Sequence, residues 1–67
     1  MVERAKNIDE YFNYMTNGNK VKKKDIRKRV GAKDNKQFLR ALEYLGGKRY
    51  LDKIGVEEAG HSYIKVS

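Results

Sequence analysis

Few side chains in this 67-residue chain could do covalent chemistry, and their spacing turns them away from catalysis. There is no cysteine, which excludes disulfides, thiolate nucleophiles and cysteine-based zinc sites together. His61 is the single histidine, and its nearby acidic neighbours are Glu57 and Glu58. Metal ligation or acid–base work needs more partners than that, so His61 reads as a surface-loop side chain. Asp9-Glu10 and Glu57-Glu58 are adjacent pairs, whose side chains diverge rather than converge on one substrate. Gly46-Gly47-Lys48 lacks both the preceding strand and the spacing of a phosphate-binding loop. The expectation is a protein with no enzymatic activity and no cofactor.

The remaining chemistry is ionic. Sixteen Lys and Arg face nine Asp and Glu, a net charge of +7. Residues 20–49 hold twelve of the basic side chains and three of the acidic ones, so that segment is +9 and the rest of the chain −2. A basic block within the folded pattern is the footprint expected of a face that binds phosphates. A lysine-rich surface that serves solubility, or an anionic membrane, would also suit the sum. No stretch approaches the ~20 apolar residues of a membrane span. The opening Met1-Val2-Glu3-Arg4-Ala5-Lys6 has no secretory apolar region. A soluble cytoplasmic protein, nucleoid-associated and without a membrane partner, is therefore expected.

These side chains must be positioned by one small domain, residues 1–67, whose size leaves only about 60% of the unfolded surface to be buried. Ala5, Ile8, Phe12 and Met15 recur at spacings of three and four, which predicts a helix over about 3–16 that stops at Asn17-Gly18-Asn19. Lys20-Val21-Lys22 is too short for an independent strand but could add a rung to a later sheet. Ile26 and Val30, one turn apart, predict a short helix over about 23–30 that Gly31 ends. Asp34 followed by Gln37 has capping-box spacing and opens a third helix over about 34–46. Phe38, Leu42 and Leu45 make its core stripe, with Leu39 and Ala41 beside it. Residues 50–56 and 62–66 are rich in β-branched and aromatic side chains and roughly alternate, which predicts a hairpin over about 50–66. The class expected is α+β, mainly α.

The order helix, brief extended segment, short helix, tight turn, longer helix, hairpin resembles the winged helix-turn-helix superfamily over nearly the whole chain. Asp25-Ile26-Arg27-Lys28-Arg29-Val30-Gly31-Ala32 look like that family's second helix and turn. Phe38-Leu39-Arg40-Ala41-Leu42-Glu43-Tyr44-Leu45 look like its recognition helix, and Lys48-Arg49-Tyr50-Leu51 its entry into the first wing strand. The resemblance implies a three-helix domain with a C-terminal hairpin wing that binds double-stranded DNA, as a small transcriptional regulator or a replication or recombination accessory factor. The third helix would enter the major groove, with Lys36, Gln37 and Arg40 at base edges and Tyr44 at a sugar or phosphate. Phosphate contacts would fall to Lys22, Lys23, Lys24, Arg27 and Lys28, with Lys33, Lys48 and Arg49 beside them.

The expected wing departs from that family's pattern, because Glu57 and Glu58 at its tip would repel phosphate. Either the wing tip points away from DNA, or only Lys53, His61 and Lys65 on its strands approach the backbone. A protein-interaction winged helix and a binder of structured RNA are the competing readings. Tyrosines at 11, 14, 44, 50 and 63 could stack on bases, but they are dispersed over three elements. Tyr11 and Tyr14 on the first helix are instead candidates for a homodimer surface.

Overall fold

The computed structural model describes residues 2–67. Its first helix, α1 (Glu3–Tyr14), buries Ala5, Ile8 and Phe12 along the expected stripe. It ends two residues earlier than the periodicity predicts. Met15 already has an extended backbone, although its side chain remains in the core. The cause is tertiary: Gly18 N–H donates to the Lys65 carbonyl at 2.7 Å, and Lys65 N–H donates to the Asn19 carbonyl at 2.9 Å. Residues 15–19 are drawn towards the C-terminal sheet and cannot continue the helical ladder.

Lys20–Lys22 forms β1, which does more than add one rung. It pairs antiparallel with β3 (Ser62–Lys65) in the register Lys20–Ile64, Val21–Tyr63 and Lys22–Ser62. The chain then enters α2 (Lys23–Val30), which turns Ile26 and Val30 inward. After the Gly31–Asp34 turn, α3 runs over Asn35–Leu45. The Asp34 carboxylate accepts from Gln37 N–H, and Gln37 Oε1 accepts from Lys33 N–H, both at 2.9 Å. The reciprocal cap expected from the spacing is thus present, with the glutamine reaching one residue further back than Asp34. Phe38, Ala41 and Leu42 are buried, and Leu45 is half-buried. Leu39 departs from expectation: it stands on the outer face of α3, 48% exposed.

The segment after Gly47 is the principal correction. Lys48–Ile54 is a helix, α4, rather than a wing strand, so the described residues contain four helices where three were expected. Tyr50, Leu51 and Ile54 are spaced by three and four, and all three pack against the core. That row overrides the strand preference of the individual residues. Glycines set the boundaries. Gly47 adopts φ 61°, ψ −132° before the first turn, and Gly55 adopts φ 73° after the last, conformations that a side chain would strain. The hairpin is correspondingly short, with β2 (Val56–Ala59) joined to β3 by the two residues Gly60 and His61. Glu57 and Glu58 therefore lie on a strand and not at the tip, and Lys53 lies on α4 and not on the wing.

The three-stranded antiparallel sheet has the order β1-β3-β2. Tyr63, on the central strand, occupies the middle of the core. Its ring lies 5.4 Å from that of Phe12, edge-on at 76°, and 6.1 Å from that of Phe38. One aromatic side chain thus ties sheet, α1 and α3 together, in arrangements aromatic rings favour. The result is a mainly helical α+β domain. No helix among the described residues is long and apolar enough to cross a membrane.

Candidate nucleic-acid interface

With Phe38, Ala41 and Leu42 buried, the opposite face of α3 is set by helical geometry. It presents Lys36, Leu39, Arg40, Glu43 and Tyr44, which together line a shallow open recess. Lys36 and Arg40 are one turn apart and exposed. Tyr44 is 58% exposed. Gln37 stands apart from this set, because its side-chain oxygen is committed to the cap and the residue is half-buried. Its amide nitrogen is the part left for a ligand. Glu43 is the acidic member of the face, and its carboxylate lies against Gly47: a Cβ built there would meet Glu43 Oε2 at 3.0 Å. This places it at the N-terminal end of α4, where exposed backbone N–H groups favour a negative charge.

The expected phosphate contacts divide once the contacts are known. Lys22, Lys24, Lys28, Lys33 and Arg49 are exposed. Lys23 is not equivalent to its neighbours. Its Nζ pairs with Glu58 Oε2 at 2.5 Å and lies 5.3 Å from the centroid of the Tyr63 ring. It fastens the start of α2 to the hairpin. Arg27 is half-buried and donates to Asn35 Oδ1 at 3.3 Å, linking α2 to the start of α3. Lys48 is 3.7 Å from Asp52 and shares a small recess with Glu57 and Glu58, so its charge sits among carboxylates.

The three basic residues expected on the wing also separate. Lys65 Nζ donates to the Ile54 carbonyl at 2.6 Å and closes the C-terminal end of α4. Lys53 is exposed on α4, and His61 is exposed in the turn. The glutamates that would repel phosphate are partly accounted for, since Glu58 is paired with Lys23 and β2 carries both.

Three tyrosines pack in or against the core: Tyr11, Tyr50 and Tyr63. Tyr50 donates its hydroxyl to Asp9 Oδ1 at 2.5 Å, tying α4 to α1. Burial raises its pKa well above the ordinary tyrosine value, and the bond to Asp9 and the Asp9 charge push the same way. Tyr63 is pushed up to about 12, first by burial and then by Glu58, with Arg27 opposing. Tyr11 and Tyr14 border a groove with Glu10, Met15, Arg29 and Val30, and Tyr14 is 85% exposed.

Sequence reasoning missed the outward position of Leu39, the pairing of Lys23 with Glu58 and the capping role of Lys65. The first was legible, because Leu39 follows Lys36 by three residues and precedes Glu43 by four. The other two depend on which strand lies beside α2 and α4, and no local signal carries that. No family model matches this chain, and neither a curated protein nor a solved structure does.

Proposed function

We propose that this chain binds double-stranded DNA without catalysis, presenting α3 to the major groove. The observation that carries the reading is the outer face of α3. Two exposed cations one turn apart, Lys36 and Arg40, stand there beside Leu39 and Tyr44, at the centre of the +9 block. A major groove ~12 Å wide admits a helix. Arg40 can donate two parallel hydrogen bonds to guanine O6 and N7, and Lys36 can reach a base edge or a phosphate. Lys22, Lys24, Lys28, Lys33 and Arg49 supply exposed positive charge for the backbone.

Topology supports the same reading. The helices α1, α2 and α3, the short β1 after α1, and the sheet order β1-β3-β2 suit a winged helix-turn-helix in which α4 is an added short helix before the wing. A regulator, or an accessory factor of replication or recombination, is the role we infer, acting in the cytoplasm on the nucleoid. A salt titration of binding to a mixed-sequence duplex, read by fluorescence anisotropy, tests this. If about six phosphates are engaged, log K falls against log salt with a slope of roughly −5. Absent or salt-insensitive binding refutes the proposal. A second readout concerns base contact: Arg40→Ala should weaken binding unevenly across sequences, and an equal loss on every duplex would remove Arg40 from base recognition.

A further inference from the structure

Leu39 is a large apolar side chain, 48% exposed, in the midst of a charged face. It is not left there by a shortage of core. Phe38, Ala41 and Leu42 already fill the inward stripe, and the open recess around Leu39 is bordered by Lys36, Arg40, Glu43 and Tyr44. The cations on either side determine what can lie against it. A surface that meets Leu39 must be apolar at one point and anionic around it. The major groove of DNA meets that description at one base only: thymine displays a 5-methyl group, and the phosphates lie beyond it. Glu43, which would repel those phosphates, has its carboxylate beside Gly47 at the start of α4.

We infer that Leu39 reads the 5-methyl group of thymine, and that α3 thereby prefers A·T-containing sites in the major groove. This rests on the DNA-binding reading above. Lys36 and Arg40 flank the contact and hold the helix at groove depth, while Leu39 supplies a discrimination for thymine that neither cation can give. The side chain lies outside the core cluster and is exposed, so it can be varied with the domain intact.

The test compares an A·T-rich duplex with the same sequence carrying deoxyuridine in place of thymidine, which deletes the methyl and leaves every hydrogen-bonding group in place. The wild-type chain should bind the thymine duplex about fourfold more tightly for each methyl contacted, the worth of one buried carbon. Leu39→Ala should bind both duplexes equally, with circular dichroism and the salt slope unchanged. Leu39→Met, which keeps an apolar side chain, should retain the preference. Equal wild-type binding to both duplexes with a steep salt slope overturns the thymine assignment and leaves DNA binding standing. A thymine preference that survives in Leu39→Ala removes Leu39 from the contact. Absence of salt-dependent binding to either duplex overturns both readings.

Discussion

Lys23 looks in sequence like Lys22 and Lys24, and the structure predicts that it behaves unlike either. Its ammonium group pairs with Glu58 and lies over the Tyr63 ring, with the lysine side chain 24% exposed and the glutamate 58%. An ion pair that open to water contributes ~0.2–1 kcal/mol. The contact with the aromatic face adds ~0.5–1 kcal/mol. Lys23→Gln should therefore cost about 1 kcal/mol, which in a domain of this size lowers Tm by roughly 4–8 °C. Its effect on DNA should be small, because a cation engaged by Glu58 releases few counterions on binding. Lys24→Gln and Lys28→Gln are the comparison. Each removes an exposed charge, so each should flatten the salt slope by ~0.9 while leaving Tm nearly unchanged. Thermal melts and anisotropy titrations on the three variants separate the roles. The reasoning fails if Lys23→Gln flattens the slope as much as Lys24→Gln does and melts with the wild type.

Tyr50→Phe should cost ~1.5–3 kcal/mol in chemical denaturation, the range for a hydrogen bond to a charged group. A double-mutant cycle with Asp9→Ala should show the two losses to be strongly non-additive, and additive losses would refute the pairing. Gly55→Ala should destabilise by ~1–3 kcal/mol, since φ is 73° there and a Cβ would come within 3.0 Å of the Ser67 backbone carbonyl; a variant as stable as the wild type would show that the α4–β2 junction is wrong. Raising the pH should unfold the domain. The folded pKa of Tyr63, about 12, lies above the ~10 of the unfolded chain, and Tyr50 shifts in the same direction. The stability these neutral hydroxyls contribute is fully present below pH ~10 and is lost as the pH rises through the folded values. Ultraviolet titration of tyrosinate, followed beside far-ultraviolet circular dichroism, should show these two tyrosines ionising with unfolding rather than before it.

Much of the architecture is written locally in this chain. The stripe Ala5, Ile8, Phe12 and Met15 determines which face of α1 is buried, because hydrophobic spacing at three and four admits one solution. Asp34 and Gln37 set the start of α3, since the capping bonds close within four residues. Once Phe38 and Leu42 face inward, the outward placing of Lys36 and Arg40 follows from the same geometry. The concentration of positive charge in residues 20–49 is a property of the sequence alone.

Tertiary structure decided the rest. Tyr50, Ile54 and Val56 favour a strand, yet the row Tyr50, Leu51 and Ile54 packs against the apolar core as a helix, and Asp9 on α1 then takes the Tyr50 hydroxyl. Whether a lysine is free for phosphate depends on neighbours far away in sequence. Glu58 is 35 residues from Lys23, and the Ile54 carbonyl is 11 from Lys65. Local periodicity determines which way a side chain points, because that depends on one helix. What the side chain meets depends on the packing of several elements, and only the folded chain brings those together.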